Sequence, residues 1–511
     1  MYSFAASLRA HAARRPDHAA ITTGGGRTLS YGELDALSSR VANALIGVGV
    51  EPGDRVAHVG RNRAEFAATM FGASKVRATL AGASWRLAVD ELGGVLADAD
   101  PKVVVVDEEF AANVQAVAAR VPGLRQVVVA GATGDFDTWT ARVPSVDPGL
   151  EPRPDDVVLI TYTSGTTGLP KGVMATNSMI EAHLTRPMPW CLDPASVMLV
   201  VSPVFHAAGS AWVFLGVYHG AHVVLLPDAN PRLVLRAVGE HRVTHTMLVP
   251  ALIQFMLQTP ECAGTDLSSL RTVVYGASPI SETVLSQALE TFGCELAQGY
   301  GMTETLGPIT FLYPADHDPA LGLLRSAGRP SPGIELAIVD PETGEERPPG
   351  EVGEVWTRSD QNTIGYWRKP EETGALFRDG WLRTGDAGYV DDRGYLFLTD
   401  RVKDMIVSGG ENVYPVEVEN ALMAHPAVAD VAVVGVPDER WGETVKAVVV
   451  AAPGGVPVPD ELIAHCRERL AGFKCPTSVD LVDELPRNPS GKVLRRLVRE
   501  PYWKGRARLV Q

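Results

Sequence analysis

Leu34, Leu37, Val41 and Leu45 recur at helical spacing behind Ser30-Tyr31-Gly32-Glu33. The serine and glutamate stand three apart, as in a capping box, and Gly47 and Gly49 close the segment. This predicts a capped amphipathic helix. Residues 54–59 then read as a strand. Apolar, β-branched runs at 103–106, 157–161, 197–201, 222–226, 246–249 and 271–275 predict further strands, with helical segments between them. Strands alternating with helices imply largely parallel sheets and an α/β class. Such sheets put ligands at the carboxyl ends of their strands.

The texture changes after about residue 310. Glycine and proline become frequent, and short β segments at 352–357 and 395–399 suit a small β subdomain. A separate pattern starts near 405. Val416, Val418, Leu422 and Met423 mark a helix, 431–436 and 445–450 are strands, and 461–470 and 493–500 are helices. The expected organisation is therefore a large domain of mixed and parallel sheets flanked by helices (1–399), a hinge (400–404) and a small mobile α+β domain (405–511).

Length agrees, since 511 residues exceed what one core holds. The net charge of −15 opposes general binding to nucleic acid or an anionic membrane. Five scattered cysteines with no CxxC pair, and no basic-then-apolar start, predict a reduced, cytoplasmic protein. Residues 194–227 carry no Asp, Glu, Lys or Arg. Serines, histidines, glycines and a proline interrupt them, so they read as buried strand, loop, helix and strand rather than a transmembrane segment.

Five clusters carry chemistry. Tyr162-Thr163-Ser164-Gly165-Thr166-Thr167-Gly168-Leu169-Pro170-Lys171-Gly172 follows the apolar run at 157–160. Glycines that turn N–H groups inward, hydroxyl donors and one lysine make a phosphate cradle. It is not a Walker A loop, because Gly172 follows Lys171 where Ser or Thr would stand. In Gln298-Gly299-Tyr300-Gly301-Met302-Thr303-Glu304, glycines flank an aromatic able to stack on a base, and Glu304 suits Mg2+. Arg383-Thr384-Gly385-Asp386 offers a carboxylate for a ribose diol. The fourth cluster spans Asp400-Arg401-Val402-Lys403-Asp404 and Ser408-Gly409-Gly410-Glu411. The fifth, Pro489-Ser490-Gly491-Lys492, presents a lysine before a terminal helix. As an ordered series the first is much more specific than a plain turn; the second and third, taken alone, read as ordinary turns and the fifth as solvated surface.

In this order and spacing the five clusters resemble the adenylate-forming superfamily of acyl-CoA synthetases, luciferases and peptide-synthetase adenylation domains. Gly53-Asp54-Arg55-Val56, Pro203-Val204-Phe205-His206 and Tyr275-Gly276-Ala277-Ser278 extend the resemblance over essentially the whole chain. It implies that a carboxylic acid and ATP give acyl-AMP and pyrophosphate, and that a thiol then displaces AMP. Lys492 would bridge carboxylate and α-phosphate. Thr163, Ser164, Gly165, Thr166, Thr167, Gly168 and Lys171 would hold the pyrophosphate end. Thr303 would meet the α-phosphate and Glu304 the Mg2+. Tyr300 would stack on adenine, beside Gln298, Gly299, Gly301, Gly276, Ala277 and Ser278. Asp386 and Arg401 would hold the ribose. Lys403 matches the hinge position. Gly409 and Gly410 would line the thiol channel. Trp441 and Phe473 match positions that flank the adenine of CoA, or serve as core aromatics.

The resemblance also bears on the acid. Phe205-His206-Ala207-Ala208-Gly209 lacks the aspartate that peptide synthetases use for an α-amino group, so a plain fatty or aromatic acid is expected. His206 resembles a gate between ATP and acyl sites. Trp212, His245, Val249, Gly301, Met302 and Leu306 are expected pocket walls. CoA is the expected acceptor, with an acyl carrier protein or a non-catalytic adenylate binder as alternatives. The oligomer is read as monomer or homodimer.

Overall fold

The computed structural model describes residues 3–163, 170–278, 280–341, 343–401, 404, 406–408, 411–438, 442–487 and 493–504. The predicted capping box is present. Glu33 N donates to Ser30 Oγ at 3.2 Å and Ser30 N donates to Glu33 Oε2 at 2.8 Å, opening the helix Tyr31–Gly47. Its buried Leu34, Val41 and Leu45 face the helix Ala64–Lys75. The fully buried Lys75 ammonium donates to Asp35 Oδ1 and Ser39 Oγ, both at 2.7 Å, and pairs with Asp147 at 3.2 Å. A buried charge needs such partners.

Four sheets follow among the described residues. One runs Gln126–Ala130, Val103–Asp107, Arg55–Val59, Thr79–Gly82, Val157–Thr163, Lys171–Thr176. It is parallel except for its last pair, which is an antiparallel hairpin. The largest has nine strands. Its parallel centre orders Glu295–Met302, Thr272–Gly276, His245–Leu248, Val197–Val200, His222–Leu225 and Ala19–Thr23, and antiparallel strands close both edges. β-Branched residues buried on both faces explain why these strands read as continuous apolar runs. The charge-free stretch resolves into Val197–Val200, the helix Ala207–His219 and His222–Leu225. Among the described residues no helix is long and apolar enough to cross a membrane.

The third sheet is antiparallel: Glu335–Val339, Gly353–Arg358, Trp381–Val390 and Phe377–Arg378, with Leu396–Arg401 also on Trp381–Val390. The fourth joins Glu411–Val413, Ile406–Ser408, Gly442–Ala451, Val428–Asp438 and Ser478–Val482. The helices Pro415–Met423, Pro459–Arg467 and Arg495–Trp503 accompany it. Large sheet domains with a smaller α+β unit are the architecture the sequence predicts.

Asp107, at the end of Val103–Asp107, accepts from Arg61 N at 2.9 Å and pairs with Arg63 at 3.1 Å. Its Oδ1 and His58 Nε2 are buried without a hydrogen-bond partner, and a Cβ on Gly60 would strike both side chains. Burial pushes the Asp107 carboxyl up to about 6.

Candidate active site

The phosphate-cradle residues Ser164, Gly165, Thr166, Thr167, Gly168 and Leu169 lie outside the described residues, but both ends of their loop are fixed. Thr163 closes one strand and Lys171 opens the next, as cross-strand partners. Thr163 Oγ1 donates to Lys171 O at 3.4 Å. The loop follows the carboxyl end of Val157–Thr163, which runs parallel to Thr79–Gly82 as expected, and it leads into an antiparallel edge strand that Lys171 opens. The preceding Tyr162 hydroxyl donates to Asp98 at 2.7 Å, which anchors the hairpin from behind.

The Lys171 ammonium lies 5.2 Å from the centre of the Tyr366 ring. The Tyr366 hydroxyl donates to Glu304 Oε1 at 2.8 Å. Glu304 is only 7% exposed and sits in the 3-10 turn Thr303–Thr305, directly after the strand Glu295–Met302. Burial first, then the Glu304 carboxylate, push the Tyr366 phenol far up, so it stays a donor. The cradle lysine and the proposed metal carboxylate, from different sheets, therefore share one aromatic partner.

The turn that carries Glu304 is held at several points. Thr305 Oγ1 accepts from Met302 N at 2.9 Å and donates to Gly307 O at 2.7 Å. Gln361 Nε2 donates to Thr305 O at 2.9 Å and to Pro308 O at 3.1 Å. Gly301 must be glycine, because a Cβ there would fall 2.1 Å from Gly307 O.

Gly276 and Gly299 are adjacent partners on parallel strands. A Cβ on Gly276 would lie 2.3 Å from Gly299 O. Ala277 follows in the left-handed region at φ 67, which is uncommon for a residue with a Cβ. Gly276, Ala277 and Ser278 thus lie beside Gln298, Gly299, Tyr300 and Gly301 at the carboxyl ends of the central strands. The Tyr300 hydroxyl donates to Asp386 Oδ2 at 2.8 Å, joining the nine-stranded sheet to the third sheet. Asp386 faces Arg401 across the strand pair. Its stretch of the strand Trp381–Val390 is oriented by the buried Glu354, which accepts from Arg383 Nη2 at 3.0 Å and from Gly385 N at 3.1 Å.

His206 caps the helix Ala207–His219, on a loop pinned by Asn62. Asn62 Oδ1 accepts from Val204 N at 2.9 Å and its amide donates to Ser202 O at 3.0 Å. Burial first, then the Arg86 charge, lower His206 to about 4, so its ring is neutral near pH 7. Its Nε2 is buried without a hydrogen-bond partner.

Of the expected acyl walls, Trp212 and Leu306 share one apolar cluster. Trp190 stacks on Trp212 at 6.0 Å and meets Phe311 edge-on at 5.4 Å, two aromatics the sequence reading omitted. His245 is not with them. It starts its strand, opposite Thr272, and its Nδ1 lies 2.8 Å from Thr244 Oγ1, at the amino ends of the strands. Val249 packs in a second cluster, and Met302 against Val173, Tyr366, Leu376 and Leu382. Gly301 lies against Gly307 and Pro308. A cavity of about 660 Å3 beside Arg271, Cys294 and Glu295 also lies at the amino ends, away from Tyr300 and Glu304.

Lys403, Gly409, Gly410, Trp441 and Lys492 lie outside the described residues. Phe473 is 44% exposed, beside Lys474, so it is not a core aromatic. Tyr366, Glu354 and Gln361 escaped the sequence reading. The one local signal was Gly365-Tyr366, a glycine-aromatic pair like Gly299-Tyr300.

A family profile described as AMP-binding enzyme matches residues 8–367, and its C-terminal counterpart matches 417–492. The chain belongs to the AMP-binding, adenylate-forming enzyme family. Within that family it is 40% identical to a fatty acid--[acyl-carrier-protein] ligase, ScoC, of Streptomyces coeruleorubidus, over 95% of this chain and 94% of that protein. It is also 40% identical to a feruloyl-CoA synthase of an Amycolatopsis species, over 96% and 97%. Its fold matches the anthranilate CoA ligase AuaEII in complex with anthranoyl-AMP, with a TM-score of 0.91, 29% identity and coverage of 98% and 97%. Adenylate-forming acid ligation is thus the chemistry of this family, and its members differ in acid and acceptor.

Proposed function

We propose that this protein is an ATP-dependent acid–thiol ligase that activates a fatty or aromatic carboxylic acid as acyl-AMP and transfers the acyl group to CoA. The observation that carries this reading is the convergence of Lys171, Tyr366 and Glu304 with Tyr300 and Asp386 from three sheets. A carboxylate oxygen attacks the α-phosphorus, the bond to the bridging oxygen breaks, and pyrophosphate leaves. The thiolate sulfur then attacks the acyl carbon, the carbon–oxygen bond to AMP breaks, and the thiol proton passes to solvent.

In this reading Thr163 and Lys171 hold the pyrophosphate end together with 164–168. Thr303 contacts the α-phosphate. Tyr300 stacks on adenine, while Asp386 and Arg401 hold the ribose. The donor set fits Mg2+ brought in with the nucleotide: one buried carboxylate, Glu304, and no His/Cys/Asp/Glu metal cluster among the described residues. Mg2+ commonly uses one or two carboxylates plus substrate phosphates. When bound it neutralises phosphate charge. Lys492 supplies the committing cation of the first step. The domain at 405–511 swings about Lys403 in the hinge at 400–404. That movement exchanges Lys492 for a thiol channel at Gly409 and Gly410, with Trp441 and Phe473 at the CoA adenine.

A plain acid is favoured because the helix opened by His206 carries no acid in its first turn, while Arg86 lies close enough to lower His206. An ammonium there would meet a like charge. Carrier-protein loading is the second reading, favoured by the similarity to ScoC over 95% of the chain.

The test is a panel of fatty and aromatic acids scored for pyrophosphate release, then for loss of free CoA or acylation of a carrier protein. Pyrophosphate released by no acid would refute acid activation; carrier acylation without CoA consumption would select the second reading. Lys492→Ala should abolish acyl-AMP formation yet spare thioester formation from supplied acyl-AMP. Equal loss of both half-reactions would remove Lys492 from its role.

A further inference from the structure

The segment 363–367 lies between the two strongest candidate groups and is stitched to both. Thr363 N donates to Glu304 O at 2.8 Å, and Thr363 Oγ1 donates to Met174 O at 2.7 Å. Trp367 N donates to Gly172 O at 2.7 Å, and Met174 N donates to Gly365 O at 3.1 Å. Val173 and Tyr366 form an isolated antiparallel bridge. Tyr366 N donates to Thr373 Oγ1 at 2.9 Å. Gly365, at φ 132, admits no Cβ, which would meet Thr373 Cγ2 at 2.3 Å. The backbone therefore fixes the Tyr366 ring in one place, 9% exposed. From there its face meets the Lys171 ammonium and its hydroxyl meets Glu304 Oε1.

We propose that Tyr366 is a positioning residue that sets two groups at once: it aims the Glu304 carboxylate at a nucleotide-bound divalent cation and seats Lys171 for the terminal phosphates. This rests on the acid-activating reading. The reasoning is chemical. A carboxylate turns freely about its terminal bond unless one oxygen is committed, and the phenol commits Oε1. A lysine on a flexible stem gains direction from the electron-rich ring face, and its charge is not neutralised as it would be by a carboxylate. Partners that orient a metal ligand typically change metal affinity 10–100-fold when removed.

The two contacts separate by mutation. Tyr366→Phe keeps the ring and deletes the hydroxyl; Tyr366→Leu deletes both. Mn2+ binding to the ATP complex, followed by electron paramagnetic resonance without any acid present, should weaken about tenfold in Tyr366→Phe. Affinity for AMP alone should stay within about twofold, since AMP reaches neither Lys171 nor the metal. Tyr366→Leu should in addition weaken metal-free ATP about threefold, within the range of one cation–π contact. In a Glu304→Gln background, Tyr366→Phe should change Mn2+ affinity no further. Wild-type Mn2+ affinity in Tyr366→Phe would overturn the proposal, as would a parallel loss of AMP affinity, the mark of a ring that merely fills space. Should Tyr366→Phe fail to fold, Thr373→Val, which releases Tyr366 N, must shift Mn2+ affinity while sparing AMP, and no shift refutes the proposal. If the wild-type protein releases no pyrophosphate with any acid, the functional reading fails, yet the Mn2+ comparison still decides the role of Tyr366.

Discussion

Replacing Asp107 by asparagine should make the protein more stable at pH 8. Asp107 is 1% exposed, and burial lifts its carboxyl from 3.8 to about 6 despite the Arg61 amide and the Arg63 guanidinium. A raised folded pKa means that the folded state binds the proton more tightly than the unfolded chain. Stability from this group is then highest below pH 4, falls as pH rises from 4 to 6, and is flat above. The shift of roughly 2 units corresponds to about 3 kcal/mol of destabilisation at pH 8. Asparagine removes that charge and can still accept from Arg61 N. The pair with Arg63 is already contained in that net shift, so the gain should be about 3 kcal/mol at pH 8, shrinking towards zero at pH 4. Urea unfolding of wild type and Asp107→Asn at pH 8, 6 and 4 measures it. A variant less stable at pH 8, or a gain that does not shrink with falling pH, would refute the reasoning.

Two further outcomes follow from the site. Gly301→Ala would drive a Cβ to 2.1 Å from Gly307 O, so it should displace the Glu304 turn and remove the thermal stabilisation given by ATP; an unchanged ATP-induced melting shift would contradict this. His206, lowered to about 4 by burial and Arg86, should stay neutral from pH 5.5 to 8. The pH profile of pyrophosphate release in His206→Gln should therefore keep the wild-type shape over that range. Loss of a wild-type inflection near 6.5 would show that the ring titrates there.

The layers were legible where local chemistry decides them. Ser30 and Glu33 announced the helix Tyr31–Gly47, and the run at 103–106 became the strand Val103–Asp107 because parallel strands bury both faces. The glycine-rich motifs were legible as well, since a Cβ would strike backbone at Gly276 and Gly301 and the Pro308 ring at Gly299. What escaped was pairing across distance. Nothing around Lys171 reveals that its strand turns back on Val157–Thr163, because a hairpin tip and a strand-to-helix loop use the same glycines and hydroxyls. Tyr366 and Glu354 act on Glu304 and Arg383 from far along the chain, and each looks locally like an ordinary subdomain residue. His245 misled because an apolar strand gives no sign of which end faces the ligand.

The site's division among three sheets also sets when it comes into being. Tyr300 precedes its partner Asp386 by 86 residues, and Glu304 precedes Tyr366 by 62. At the usual ribosomal rate of roughly 5–20 residues per second, the Tyr300 strand waits about 4–17 s for Asp386 to be made. The large parallel sheet is therefore made before its carboxyl edge has Asp386 or Tyr366 to pair with, so its early stability rests on its own buried strands.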